Sequence, residues 1–123
     1  MSVVRAGLAE GFYFGEDAVL LALDVEGLNA LLVALIHAQE EGSSRLDVDG
    51  TIHEFLIEGT ASDIEFHDDD GTAVLRLSDA KAQEIQEIIE LLTDMSQLPG
   101  RGHYYVDMFT PVGTLVISLN EYT

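Results

Sequence analysis

Three predicted strands begin with the same dipeptide, Gly-Thr, and this repetition constrains the fold more than any other feature of the chain. Gly50-Thr51 precedes IHEFLI, Gly71-Thr72 precedes AVLRL, and Gly113-Thr114 precedes LVISL, each after a turn-prone segment. Glycine adopts the positive φ that tight hairpin turns require, and β-branched threonine favours the strand that follows. The pattern predicts a chain built largely from β-hairpins.

A first helix is predicted over Glu26–Glu41, where apolar residues recur at helical spacing. Asp24 is suited to cap its N-terminus, and Gly42 follows its last turn. The apolar run AVLLALD, beginning at Ala18, reads as a buried strand that leads into this helix, with Gly11-FYFG as its hairpin partner.

A second helix, capped by Ser78 or Asp79, is predicted to run to about Met95. Its apolar positions follow the i, i+3, i+4, i+7 pattern: Ile85, Ile88, Ile89 and Leu92. The run AVLRLSD, beginning at Ala73, leads into it as AVLLALD leads into the first helix. This echo suggests an internal duplication of a ββα unit, with extra hairpins.

The remaining strand-like segments are Arg45–Val48, Thr51–Glu58, Asp63–Phe66, Thr72–Leu77, His103–Phe109 and Thr114–Leu119. We therefore predict a single α+β domain over residues 1–123. Its core would be a mainly antiparallel, twisted sheet of about six to eight strands, with both helices packed on one face. An open edge strand of such a sheet would also allow a homodimer.

The charge of the chain bounds the classes of partner. The chain has 23 Asp and Glu residues but only five Lys and Arg residues, which gives a formal net charge of −18. Such a surface repels nucleic acids and anionic membranes but attracts basic proteins and accelerates encounter with them. No cysteine is present, which excludes disulfides and thiolate chemistry. The N-terminus MSVVRAGLAEG lacks a secretory pattern and no apolar run reaches bilayer length, so we expect a soluble, cytoplasmic protein.

The segment LDVDGTI contains Asp47-x-Asp49-Gly50-Thr51, which spells the DxDGT signature of a phosphatase family. The downstream lysine and acidic pair of that family are not in the required order here. An EF-hand alignment also fails, because its first and last ligand positions would fall on Arg45 and Leu56. We interpret the motif as a hairpin turn.

Other catalytic and cofactor motifs are missing from the sequence. No histidine pair has zincin spacing, no Gly-x-Ser-x-Gly elbow occurs, and no glycine-rich loop precedes a helix. His53 and His67 lie on neighbouring predicted strands, where a fortuitous metal site is less expected than surface histidines. The sequence thus predicts no cofactor, no metal ligand and no catalytic residue.

Four carboxylates line one flank of the second helix: Glu84, Glu87, Glu90 and Asp94. Like charges at this spacing destabilise a helix by about 0.2–0.5 kcal/mol per pair, and anions near its C-terminus oppose the helix dipole. Three explanations are open: salt screens this repulsion, a basic partner covers the surface, or the face is solvated and has no partner. We predict that these side chains bind a partner, together with the acidic turn Asp68, Asp69 and Asp70 and the aromatic Tyr105.

Tyr105 lies in the strand HYYVDM, where side chains alternate between two faces. Tyr104 and Val106 are assigned to the core face, opposite Leu115 and Ile117 of the last strand. Tyr105 then faces the other way, where an aromatic ring with a polar tip suits recognition.

The second half of the chain resembles small bacterial immunity proteins of polymorphic toxin systems. The resemblance rests on the helix Ser78–Met95, the strand Gly102-HYYVDM and the closing strand Leu115-VISLNEY. It implies a non-catalytic protein that neutralises a basic toxin by electrostatic steering and occlusion.

Two other readings stay open. One is a housekeeping domain or small enzyme of a salt-adapted organism, acidic for solubility. The other is a divalent-cation site around Asp47, Asp49 and the Asp68–Asp70 turn.

Overall fold

The computed structural model of the protein describes residues 4–13, 16–48, 51–60, 62–67, 69–95, 100–107 and 114–120. Eight strands and two helices follow one another in these segments. In chain order they are β1 (Val4–Tyr13), β2 (Glu16–Leu23), α1 (Val25–Glu41), β3 (Ser43–Val48), β4 (Thr51–Ile57), β5 (Ser62–His67), β6 (Thr72–Leu77), α2 (Asp79–Met95), β7 (Gly102–Asp107) and β8 (Thr114–Leu119). The protein is therefore α+β, as predicted.

The strands form two four-stranded sheets, where the sequence predicts one. Sheet A has the order β1-β2-β8-β7, and sheet B has the order β3-β4-β6-β5. Hairpin partners pair antiparallel, but the central pairs β2–β8 and β4–β6 are parallel. The β2–β8 pair joins strands from the two ends of the chain. Local periodicity identifies a strand but not the distant strand with which it pairs. For this reason the division into two sheets was not predicted from the sequence.

The chain repeats one structural unit twice, first as β1-β2-α1-β3-β4 and then as β5-β6-α2-β7-β8. Each sheet combines the first hairpin of one unit with the second hairpin of the other. An equivalent backbone hydrogen bond lies at the end of the central parallel pair in each sheet. Asn120 N–H donates to the Leu23 carbonyl in sheet A (2.8 Å), and Glu58 N–H donates to the Leu77 carbonyl in sheet B (2.9 Å). The predicted ββα repetition is thus present in the fold and extends to a ββαββ unit.

The two helices also bury equivalent positions. In α1 the buried apolar residues are Leu28, Leu31, Ala34, Leu35 and Ala38. In α2 they are Ala82, Ile85, Ile88, Ile89 and Leu92. Both sets follow the same i, i+3, i+6, i+7, i+10 spacing, so each helix buries a single stripe and leaves its other side to solvent.

Side-chain caps set where both helices begin. The Asp24 carboxylate accepts from Gly27 N–H at 2.7 Å, and the Ser78 hydroxyl accepts from Lys81 N–H at 3.0 Å. Gly42 ends α1 in the left-handed region with φ 91°, which a glycine adopts without strain. The predicted caps are confirmed.

One cluster of buried apolar residues receives side chains from both sheets and both helices. Phe55 of β4, Leu75 of β6, Leu115 of β8 and Ile89 of α2 are among its largest fully buried members. Val106 is buried and Tyr104 packs against the cluster, as their predicted position on the core face of β7 requires.

The DxDGT segment lies where β3 meets β4. Val48 pairs with Thr51 in an antiparallel register, which confirms the predicted hairpin. Asp49 and Gly50 themselves fall outside the described residues, as does Gly113. In the β5–β6 turn, Gly71 has φ 73°, the positive value expected of a glycine before Thr72.

Candidate functional surfaces

The predicted acidic flank forms one continuous surface on α2. Glu84, Glu87, Glu90 and Asp94 are all exposed, and we call them the acidic ridge. Their spacing places them on the side of the helix away from Ile85, Ile89 and Leu92. The structure therefore brings these four predicted residues together.

Among the described residues, the acidic ridge has a basic neighbour at its N-terminal end. Lys81 Nζ lies 3.3 Å from Glu84 Oε1, an i, i+3 contact within α2. Glu87, Glu90 and Asp94 form no ion pair within the part of the chain that the structure describes. The C-terminal half of the ridge is thus left with uncompensated negative charge.

An apolar side chain lies within the ridge. Leu91 is 48% exposed and is one helical turn from Glu87 and three residues from Asp94. An isolated exposed leucine is unremarkable on its own. Here it places an apolar side chain in the middle of a charged surface. Leu91 is visible in the sequence, but the pattern of charges does not indicate it.

The Asp69–Gly71 turn occupies a different place in the fold. It precedes β6, whereas α2 follows β6, so the turn and the start of α2 lie at opposite ends of that strand. Asp70 Oδ1 accepts from Thr72 N–H (3.2 Å) and from the Thr72 hydroxyl (2.8 Å), which lowers the pKa of Asp70. Asp69 and Asp70 are exposed, and Asp68 lies outside the described residues.

Tyr105 is 42% exposed on β7, on the face opposite Tyr104. Its ring meets His103 edge-on at a centroid distance of 5.3 Å, and its hydroxyl lies 3.3 Å from His103 Nε2. Strand β7 contacts α2, so Tyr105 belongs to an element beside the ridge-bearing helix.

Carboxylates also lie on other surfaces. Glu26, Glu40 and Glu41 are exposed on α1, and Glu65 is exposed on β5. The negative charge is therefore spread over several elements. Within the described residues, the acidic ridge combines three carboxylates that have no basic partner with the exposed side chain of Leu91.

The outward side of sheet B, which we call the open face, was not singled out from the sequence. Two complete rows of paired side chains cross it from β3 to β5: Ser43, Leu56, Arg76 and Asp63, and then Arg45, Glu54, Val74 and Glu65. Beyond them Asp47 pairs with Ile52 on β3 and β4, and Thr72 pairs with His67 on β6 and β5. Burial alternates along β6 and over residues 52–56 of β4, and this alternation separates these residues from the core. That alternation is the signal that could have identified the face.

Charged and polar side chains lie in contact with one another on the open face. Arg76 Nη1 lies 3.0 Å from Asp63 Oδ2, and the pKa of Arg76 is raised by this contact. Arg45 Nε lies 4.0 Å from Glu54 Oε1, and His67 Nε2 lies 3.0 Å from Glu65 Oε2. A groove of about 420 Å³ runs between these side chains, lined by Arg45, Ile52, Glu54, His67, Asp70, Thr72 and Val74.

His53 lies on the opposite, inward side of β4 and is 1% exposed. Its Nδ1 accepts from Ala73 N–H at 3.1 Å, which satisfies an amide next to the parallel ladder that starts at Glu54 and Val74. Its Nε2 has no hydrogen-bond partner among the described residues. Burial lowers the pKa of His53, and a backbone contact with Val4, too poor in geometry for a hydrogen bond, partly offsets this effect.

The opposite orientations of His53 and His67 rule out a shared metal site between them. His53 points into the core, while His67 lies on the open face. Among the described residues no group of three or more His, Asp or Glu is arranged to hold a metal ion. Asp49 and Asp68, two members of the cation site considered from sequence, fall outside those residues.

In the segments that the structure describes, neither helix is long and apolar enough to cross a membrane. Comparison of the chain with protein-family models, with curated proteins and with solved structures gave no match.

Proposed function

We propose that this chain is a non-catalytic binding protein that neutralises a basic protein partner in the cytoplasm, in the manner of a toxin-specific immunity protein. The acidic ridge of α2 would receive the partner. The observation that carries the proposal is that Glu87, Glu90 and Asp94 surround the exposed Leu91 without a compensating cation in the described part of the chain.

The steps of binding follow from the charge and the geometry of the ridge. The net charge of −18 steers a cationic partner toward the protein before contact. At contact, lysine or arginine side chains of the partner neutralise the ridge carboxylates, and an apolar group packs on Leu91. Relief of the repulsion between ridge carboxylates adds to the affinity, because that repulsion is present only in the free protein.

Association kinetics of charge-reversed variants test this proposal. The probe is a synthetic amphipathic helical peptide rich in lysine and arginine, followed by the product of the gene adjacent to that of this chain. Glu87→Lys combined with Glu90→Lys should lower the association rate constant by roughly tenfold at low salt, because steering contributes on that order.

The matched control reverses two exposed carboxylates on α1, Glu40→Lys with Glu41→Lys, and changes the net charge equally. A smaller effect of this control than of the α2 reversal supports the ridge as the binding surface. Equal effects of the two reversals would show that only the total charge matters, and unchanged rates in both would remove the proposal.

A further inference from the structure

We propose that the open face of sheet B is an interface between two copies of this chain, related by a twofold axis. The first observation is a difference between the two repeats. In sheet A, five consecutive residues of β8, Leu115–Leu119, are fully buried, so both faces of that central strand are covered. Its equivalent in sheet B is β4, where Ile52 is 38% exposed and Glu54 and Leu56 are only half-buried.

Parallel strands generally lie in sheets whose two faces are both covered. Strands β4 and β6 form a parallel pair, yet their outward face borders an open groove. The outward face of sheet B is thus exposed, whereas the equivalent face of sheet A is covered.

The two central strands of the open face carry apolar and polar side chains in alternation. Leu56, Val74 and Ile52 lie beside Arg76, Glu54 and Thr72 on β4 and β6. The edge strands β3 and β5 add charged side chains, among them Arg45, Asp63 and Glu65. Non-obligate protein–protein interfaces have a similar mixture of apolar and polar surface.

The presence of both charge signs on the open face favours a second copy as the occupant. The open face carries Arg45 and Arg76, two of the five Lys and Arg of the chain, each next to a carboxylate. A twofold contact requires a patch that is complementary to itself, and intermingled charges of both signs meet this condition. Two chains of charge −18 repel each other elsewhere, so they can approach most easily at this face.

Arg45 is the side chain best placed to cross the interface. Its side chain is 72% exposed, and its contact with Glu54 is long, at 4.0 Å. It lines the groove together with Glu54 and Asp70. In a twofold arrangement the Arg45 guanidinium of each copy meets these carboxylates of the other, and arginine is a frequent anchor of interfaces.

The dimensions of sheet B indicate a weak dimer. The four strands lie about 4.8 Å apart, and each is about six residues long at about 3.3 Å per residue. The flat area of the sheet is therefore roughly 400 Å². Stable interfaces bury about 800 Å² per partner, so we expect dissociation at micromolar concentration or above. The acidic ridge faces away from this surface, since the buried stripe of α2 and the inward side of sheet B share one core.

Sedimentation equilibrium over protein concentrations from about 1 μM to about 1 mM, the range expected for a small interface, tests the proposal. The wild-type protein should dimerise, and more strongly in about 1 M than in about 0.1 M salt, because salt screens the repulsion between the two chains. Binding of a basic partner should instead weaken as the salt concentration rises. The failure of one proposal can therefore be distinguished from the failure of the other.

Ile52→Lys, and separately Val74→Lys, should abolish the dimer throughout this range. Val33→Lys is the matched control, because Val33 is an exposed apolar residue of α1 and the charge change is the same. Circular dichroism confirms that each variant is folded. A wild-type protein that is monomeric in all conditions would overturn the proposal. It would also be overturned if Val33→Lys disrupted the dimer while the folded Ile52→Lys and Val74→Lys variants still dimerised.

Discussion

His53 links β4 to β6, the two central strands of sheet B, through a buried polar contact. Its Nδ1 accepts from Ala73 N–H, which requires the neutral ring with the proton on Nε2. Protonation of Nδ1 would place its N–H group against the Ala73 N–H group, so that two hydrogen-bond donors would face each other in the core. Leu115 is the equivalent residue of the other repeat, so the fold itself does not demand a histidine at this position.

The buried imidazole predicts a specific dependence of stability on pH. Since burial lowers the pKa of His53 below about 6.5, its usual value in unfolded chains, its contribution to folding is fully present above that pH. The contribution is lost as the pH falls from about 6.5 toward the lower pKa of the folded state.

Chemical denaturation of the wild type and of His53→Asn, between about pH 5 and pH 8, measures this contribution. The asparagine Oδ1 can still accept from Ala73 but does not titrate in this range. The difference in unfolding free energy between the two proteins should shrink toward acid pH. A difference that stays constant would contradict the assignment, and His67→Asn on the open face serves as the control for an exposed histidine.

At the scale of elements, α2 retains a charge pattern that opposes its own stability. Glu90 is three residues from Glu87 and four from Asp94, and it lies in the C-terminal half of the helix. Both the neighbouring carboxylates and the helix dipole disfavour a negative charge there. A residue kept against these effects is consistent with the proposed role in binding.

Glu90→Lys should therefore stabilise the protein in the absence of a partner. The new cation would lie within one turn of two carboxylates and near the negative end of the helix dipole. We expect the free energy of unfolding to rise by about 0.5–1 kcal/mol at low salt and by less in molar salt. Urea denaturation measures the change, with Glu90→Gln expected between the wild type and the lysine variant; a lysine variant no more stable than the wild type would contradict this account.

The elements themselves were largely predictable, because local signals specify them. The bounds of β6 and β8 agree with the predicted Thr72–Leu77 and Thr114–Leu119, and α1 begins one residue before the predicted Glu26. Strand β1, in contrast, begins at Val4, whereas the prediction placed it from Gly11, because its mixed sequence lacks a clear alternation. The acidic ridge was also predictable, since helical spacing alone places its residues on one side.

The whole molecule depends on pairings that local patterns do not contain. The exchange of hairpins between the two repeats creates the parallel pairs β2–β8 and β4–β6, and with them the open face. The groove beside Arg45 and the burial of His53 follow from the same exchange. For this reason the sequence could predict a surface on one helix but not a surface assembled from four strands.

Two distinct surfaces result from this architecture. The acidic ridge on α2 is proposed to meet a basic protein, and the mixed-charge open face of sheet B is proposed to meet a second copy. A dimer formed through sheet B would leave both acidic ridges accessible, since neither ridge is part of that face.

Mapping of the contact surface by NMR chemical shifts tests the central claim most directly. The labelled protein is titrated with the lysine- and arginine-rich amphipathic peptide, and backbone amides and methyl groups are followed. The account predicts the largest changes at residues 84–94 and at the Leu91 methyl groups. Changes spread evenly over the carboxylates of α1, α2 and sheet B, or absent from α2, would contradict it.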